Sequence, residues 1–392
     1  MEHPRDPFGR TEHARFNGAS RDDDQPHFVF AGGGTGGHLF PGLAVAEALI
    51  GAAADVKITF AGTGKDFERR HVQAAGFQYQ AISCRPLPRG PLGVPRFLAD
   101  NLLGYWKASA FLRRQRVACV VGLGGYASVP MARAAVRQGI ALVLLEQNAT
   151  AGRATRWLAP AADAVCLALK EARNDLPAQC AIRVVGNPVR IGFGEFHRKG
   201  HPKRMRQLLI LGGSSGARSL NESVPRALAR LGPRLGGWRI LHQSGPNDLE
   251  PVRALYATLE LEATVTPFVA DMPATLADTD LAVSRAGGTT LAELSVSGVP
   301  AVLVPYPHAA DDHQGKNAAV WTAAGGCIAI DQRDPSGDFC DRLAAALGPL
   351  LRDGKSLAAM AGRMRKLARP SAARDIAEMV LNRSGLAKVG AW

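Results

Sequence analysis

The run Gly32-Gly33-Gly34-Thr35-Gly36-Gly37-His38 separates an apolar stretch from an alanine- and leucine-rich helical pattern. Glycine costs backbone entropy, so a cluster this dense implies unusual dihedrals or close approach by something bulky. The start of a helix leaves amide donors unpaired and carries partial positive charge. Together these make an anion site, most often for phosphate. His38 directly follows the glycines. A neutral imidazole there is a candidate general base; the competing role is a hydrogen bond that holds the loop.

Two more glycine clusters repeat the pattern. "GLGGYASVP" (Gly122 to Pro130) contributes Gly124, Gly125 and Tyr126 at another strand-to-helix junction, which points to a second anionic group on a second substrate. "LLILGGSSGARSLN", containing Ser214, places a third junction in the second half of the chain. The first loop can be forced onto G-x-G-x-x-G through Gly32, Gly34 and Gly37. A dinucleotide site also needs an acidic residue ending the next strand, whereas Asp55 precedes that strand. No Lys-Ser/Thr pair follows the glycines, which excludes a Walker loop. An NAD-dependent oxidoreductase is therefore the weaker reading. Three acidic groups could suggest a metal: Asp22-Asp23-Asp24, Asp278 with Asp280, and Asp311-Asp312-His313. The first reads as a solvated charge run, the second as a turn and the third as a helix start. No divalent metal and no tightly bound cofactor is expected.

Short apolar runs alternating with helical patterns must position these loops. That rhythm predicts an α/β protein with parallel sheets. The strands are expected in "FVFAG", "VKITFAG", "FQYQAISC", "VACVVGLGG", "ALVLLEQN", "AVCLA" and "RVVGNP". After an interruption they resume in "QLLILGG", "WRILHQSG", "ATVTPFV", "DLAVSRAGG", "AVLVPYP" and "CIAI". The interruption over residues 186–205, rich in Gly, Pro and basic residues, predicts an interdomain linker. At 392 residues two domains are expected. The divisions are a polar, disordered leader (1–26), a first Rossmann-like domain (27–188), a second (189–369) and a C-terminal helix (370–392) packing back on the first. Two such domains leave a cleft between the carboxyl ends of their sheets, where open α/β folds bind ligands.

Composition narrows the partners. The chain is 46% hydrophobic and 21% charged with a formal net charge of +13, which favours an anionic partner. Its six cysteines form no CxxC pair and several lie in apolar runs, reading as reduced core thiols. No stretch reaches transmembrane length, and residues 1–26 lack the apolar run of a signal peptide. In the segment after "AISC", Leu87, Leu92, Val94 and Phe97 stand among Arg85, Arg89 and Arg96, with prolines expected to prevent regular structure. Exposed apolar groups ringed by arginines suit an anionic bilayer. Leu98, Leu102, Leu103, Trp106, Phe111 and Leu112 recur at helical spacing and are expected mostly to face the core. Aromatics amount to 6%, too few for base stacking, so no nucleic acid partner is expected.

"GGGTGGHLFPGLAVAEAL", "GLGGYASVP", "LLEQNATAGRATRWLA", "VVGNPVR", "LLILGGSSGARSLN", "HQSG", "SRAGGTTLAEL" and "DDHQGKNA" together resemble one family over about residues 28 to 325. It is the MurG family, the bacterial UDP-N-acetylglucosamine:undecaprenyl-pyrophosphoryl-muramoyl-pentapeptide N-acetylglucosaminyltransferases. The resemblance implies a GT-B fold of two Rossmann-like domains and an inverting transfer of N-acetylglucosamine (GlcNAc) from UDP-GlcNAc to lipid I, forming lipid II. It implies a donor site in which Ser214 meets the diphosphate and Glu293 the ribose. Gly288, Thr289, Thr290, Leu291 and Ala292 form the adjoining loop, and Val269 contacts uracil through its backbone. Gln314 and Asn148 hold the sugar, Arg190 reaches the diphosphate, and Thr35, Gly36 and Gly37 close the first loop. The acceptor's diphosphate would lie near Gly124, Gly125 and Tyr126, with its lipid leaving along Leu87–Phe97. His38 is the base candidate and Glu146 the fallback. Where some members carry paired glutamines, this chain has His313-Gln314. The resemblance further implies a peripheral place on the cytoplasmic face of the inner membrane, with cell-wall synthesis or division proteins as partners. A UDP-GlcNAc epimerase of similar architecture and a non-catalytic adaptor compete with the transferase reading.

Overall fold

The computed structural model describes residues 25–385 except 54, 89, 194–204, 214 and 215. The leader expected over residues 1–26 thus lies almost wholly outside the described residues. Each apolar run named above contains or overlaps a strand. The first sheet holds β1 (His27–Ala31), β2 (Lys57–Gly62), β3 (Gln78–Ala81), β4 (Val117–Gly122), β5 (Ala141–Glu146), β6 (Ala164–Leu167) and β7 (Ile182–Val184). The second holds β8 (Arg206–Leu211), β9 (Trp238–Gln243), β10 (Thr264–Thr266), β11 (Leu281–Ser284), β12 (Ala301–Leu303) and β13 (Cys327–Ala329). Their spatial orders are β3-β2-β1-β4-β5-β6-β7 and β10-β9-β8-β11-β12-β13. All pairings are parallel.

Helices α1 (Gly36–Ala52), α2 (Asp66–Ala74), α3 (Val94–Gln115), α4 (Val129–Arg137) and α5 (Arg153–Leu158) accompany the first sheet. Helices α6 (Arg218–Leu231), α7 (Leu249–Thr258), α8 (Met272–Asp278), α9 (Gly288–Ser297), α10 (His313–Ala323), α11 (Phe339–Arg352) and α12 (Gly354–Leu367) accompany the second. Because helices cover both faces, alternate strand residues enter separate cores. Phe28, Phe30 and Phe60 pack on one side of the first sheet, Val29, Val120 and Leu142 on the other. Leu208 and Ile210 are likewise separated from Leu209 and Leu211 in the second. Val189 and Phe193 join the second sheet's core. The last helix, α13 (Ala372–Arg383), sends Ile376, Ala377 and Val380 into the first sheet's core.

Strand order reverses between β1 and β4 in the first sheet and between β8 and β11 in the second. The glycine clusters follow β1, β4, β8 and β11, so both switch points are lined with helix N-termini or tight turns.

Two expectations for the segment after β3 are corrected. Val94 and Phe97 lie in α3, not in a proline-broken loop. Pro95 stands in the first turn of α3, where the missing amide hydrogen costs nothing and the fixed φ favours the helix. Leu98, Leu102, Leu103 and Trp106 do not face the core: they are 59%, 57%, 47% and 58% exposed. Only Leu112 is buried, with Phe111 packed against the core's edge.

Candidate active site between the two sheets

The glycine loop after β1 is built over a buried carboxylate. Glu68 of α2 is fully buried and accepts from Gly34 N, Thr63 N at 2.8 Å, Thr63 Oγ1 at 2.7 Å and the Tyr79 hydroxyl. It ties the loops that follow β1 and β2 together, and nothing in the sequence marked it. Beyond this anchor Thr35 precedes α1, with Gly36 buried and Thr35 and Gly37 exposed. His38, half-buried in the first turn, places Nδ1 2.9 Å from Gln147 Oε1. The loop after β4 brings Gly124 and Gly125 against the His38 ring, with Tyr126 half-buried beside them.

Glu146 does not have the surroundings of a base. It is 4% exposed. Oε1 accepts from Asn148 N and Nδ2 at 3.2 and 3.1 Å; Oε2 accepts from Gly152 N and Thr155 Oγ1 at 2.9 and 2.8 Å. Four donors fill its lone pairs, so it shapes the 146–155 loop.

From the second sheet, α9 points its N-terminus at the first domain. Gly288 lies so close to the Gln147 carbonyl that a Cβ would fall 2.1 Å from that oxygen, which only glycine permits. Thr289 Oγ1 donates to Gly37 O at 2.8 Å. One turn on, buried Glu293 has its carboxyl raised above the usual range by burial, with Arg190 pulling the other way. Arg190 Nη2 lies 3.5 Å from Glu293 Oε1, and the guanidinium stacks over Phe40 and Phe193 with centroids at 4.6 and 5.6 Å. Its buried Nε has no hydrogen-bond partner among the described residues. A guanidinium held between two aromatic rings and a carboxylate of α9 is a cation fixed in place, which suits a phosphate group.

Asn317 of α10, fully buried, joins the domains. It accepts from Ala149 N at 2.7 Å and donates to Asn148 Oδ1 at 3.1 Å and Ala286 O at 3.0 Å. Asn148 therefore sits at the domain junction with both ends of its amide engaged. Gln314 Oε1 accepts from Tyr306 N at 2.9 Å, while His313 Nδ1 bonds Ala310 O at 2.9 Å and so caps its own turn. Val269 N donates to Gln243 Oε1 at 2.9 Å, which leaves only its carbonyl for a base edge. Thr290 is half-buried, as is Ala292. The Leu291 side chain belongs to the second core, so only its backbone can face a ligand. Ser214 lies outside the described residues.

The structure thus gathers His38, Gly37, Thr289, Arg190, Glu293 and Asn148 along one interdomain seam. It adds Glu68, Gln147 and Asn317, polar residues whose roles appear only when distant segments meet. No group of three or more metal-ligating side chains occurs among the described residues.

The other surface of interest is α3 with the segment before it. Leu92 is 97% exposed and Leu87 64%, continuing the row of Leu98, Leu102, Leu103 and Trp106. Val94 and Arg96 are exposed and Phe97 is half-buried. Arg85 is ion-paired with Asp100 rather than free, and Arg89 lies outside the described residues.

Two family models match the chain: the glycosyltransferase family 28 N-terminal domain over residues 28–167 and the C-terminal domain over 207–378. The chain is 36% identical over 356 residues to the UDP-N-acetylglucosamine–N-acetylmuramyl-(pentapeptide) pyrophosphoryl-undecaprenol N-acetylglucosamine transferase of Myxococcus xanthus, covering 90% of this chain and 92% of that one. Among solved structures it is similar to Acinetobacter baumannii MurG, with TM-score 0.72 and 31% identity over 91% of this chain and 99% of that one. A UDP-GlcNAc 2-epimerase from Neisseria meningitidis shares TM-score 0.63 at 14% identity, covering 91% of this chain and 100% of that one; this shows a common fold alone.

Proposed function

This chain belongs to glycosyltransferase family 28, within its MurG N-acetylglucosaminyltransferases, and on that premise we propose how its residues perform the transfer. GlcNAc moves from UDP-GlcNAc to the muramoyl C4 hydroxyl of lipid I, giving lipid II and UDP in peptidoglycan biosynthesis. The epimerase and oxidoreductase readings are not favoured.

The observation that carries the site assignment is the meeting of α9 with the first glycine loop, through Thr289 Oγ1 and Gly37 O at 2.8 Å. It supports reading the N-terminus of α9, which lies beside the loop that bears His38, as the donor-binding element. In this reading the donor diphosphate lies at the N-terminus of α9 and against Arg190, whose stacked guanidinium is held in place before substrate arrives. Glu293 accepts from the ribose hydroxyls, the Val269 carbonyl meets uracil, and Gln314 and Asn148 hold the sugar. Gly124, Gly125 and Tyr126 receive the acceptor's diphosphate.

The C4 hydroxyl attacks C1 of GlcNAc from the face opposite UDP, inverting the α linkage to β-1,4. Charge growing on the departing diphosphate meets Arg190 and helix amides, a preorganised arrangement in which each donor is typically worth about 3–4 kcal/mol. No step in this reading calls on a metal. His38 takes the hydroxyl proton.

No helix among the described residues is long and apolar enough to cross a membrane. The exposed row on α3 with Leu87 and Leu92 is the surface we assign to the anionic, cytoplasmic face of the inner membrane. The test of the function is UDP release with and without lipid I: release that depends on lipid I supports the transferase, and equal release without it refutes it.

A further inference from the structure

Gln147 stands one residue beyond β5, is 3% exposed, and has both ends of its amide engaged. Nε2 donates to Leu123 O at 3.0 Å, and Oε1 lies 2.9 Å from His38 Nδ1. A carbonyl oxygen can only accept, so the amide nitrogen must face Leu123 and the amide oxygen must face His38. The ring nitrogen opposite that oxygen must then donate. In the neutral ring His38 therefore carries its proton on Nδ1 and its lone pair on Nε2.

The surroundings fit that orientation. Nε2 has no hydrogen-bond partner among the described residues and faces the second glycine loop. A Cβ on Gly124 would lie 3.2 Å from the ring's Cε1 and Nδ1, and one on Gly125 3.5 Å from Nε2. Both glycines have positive φ, at 93° and 69°, so the loop passes flat along the ring as few other residues would allow. Gln147 is also fixed from the second domain, through the approach of Gly288 to its carbonyl.

We propose that Gln147 is a positioning residue that selects the Nδ1–H tautomer of His38 and so presents Nε2 to the acceptor hydroxyl; this rests on the reading of His38 as the base. The bond from acceptor O4 to C1 forms as the bond from C1 to the diphosphate oxygen breaks, its electron pair leaving with UDP. The O4 proton passes to His38 Nε2, and the imidazolium keeps its Nδ1–H bond to Gln147. The role matches that of the carboxylate in a hydrolase triad, performed here by a neutral amide.

The tautomer is read directly by two-bond proton–nitrogen correlation spectra of the protein labelled with ¹⁵N-histidine, with His38→Asn identifying the His38 signals by their loss. The expected wild-type spectrum shows a protonated Nδ1 and an unprotonated Nε2. Gln147→Met should abolish that preference and lower kcat by about 100-fold, the low end of the loss expected for a misdirected base, with the KM for UDP-GlcNAc within about twofold. Gln147→Glu still offers an acceptor to Nδ1 and should keep the tautomer and recover part of the rate. A wild-type ring protonated on Nε2 overturns the proposal. So does a Gln147→Met enzyme whose tautomer changes without loss of rate, or whose rate falls with the tautomer intact. Absence of GlcNAc transfer by the wild-type protein would refute the function instead, because the spectrum needs no substrate.

Discussion

Thr289 Oγ1 donates at 2.8 Å to Gly37 O, a carbonyl that α1 leaves without its usual helical partner. The residue four places on is Pro41, inside α1, which has no amide hydrogen to give. A carbonyl left unpaired where the domains meet costs free energy, and the second domain supplies the missing donor. A proline in the first domain thus creates a fixed point of contact between α9 and the first glycine loop.

Thr289→Val should keep the shape and lose the bond, lowering kcat by roughly tenfold, as a hydrogen bond worth about 1.5 kcal/mol would. Thr289→Ser should stay near wild type. Pro41→Ala supplies Gly37 with an intrahelical donor, so the Thr289→Val penalty should shrink in that background. Steady-state rates in a double-mutant cycle measure this directly; an undiminished penalty in the Pro41→Ala background would place the effect elsewhere.

Glu293 and Arg190 make a second testable pair. A carboxylate whose proton affinity is raised by burial gains its proton above the pH at which an exposed glutamate does. The protonated form is a poorer acceptor for ribose hydroxyls, so UDP affinity should fall as the pH drops through that raised value. Glu293→Gln should bind UDP more weakly at neutral pH and lose this pH dependence, because two hydrogen bonds to a charged acceptor are each worth roughly 1.5–3 kcal/mol. Calorimetry across pH measures both effects, and a Glu293→Gln enzyme that binds UDP as wild type does would contradict the ribose assignment.

The surface of α3 predicts a division of effects. Replacing Leu98, Leu102 and Trp106 by glutamine should reduce sedimentation with phosphatidylglycerol-rich vesicles while leaving the melting temperature near wild type, since these side chains are 57–59% exposed. Each deeply inserted apolar side chain is worth roughly 1.5–3 kcal/mol. High salt should weaken wild-type binding only in part, because the apolar component is unscreened. Unchanged vesicle binding would move the membrane face away from α3.

Local pattern encodes some features of this molecule and is silent on others. Buried parallel strands read as continuous apolar runs, and glycine loops read as loops, so the two sheets and their switch points are visible in the sequence. Leu98 to Trp106 show where periodicity stops: it defines a helical face but not whether that face is buried. Pro95 shows that proline starts a helix as readily as it ends one. Glu68 carries no local signal, and Gln147 and Asn317 stand inside motifs that show no role for them, because each acts where segments far apart in the chain converge. His38 is visible by its place after the glycines, yet its tautomer depends on Gln147, 109 residues away.

One cleft is assigned here to joining GlcNAc to a lipid-linked muramoyl acceptor with inversion at C1. Incubation with UDP-GlcNAc labelled in the sugar, with and without lipid I, followed by extraction and proton NMR of the lipid product, tests that assignment. Label should enter the lipid fraction only when lipid I is present, and the product should show the large anomeric coupling of a β linkage. Label that leaves UDP without lipid I, or a lipid product with the small coupling of an α linkage, would contradict it.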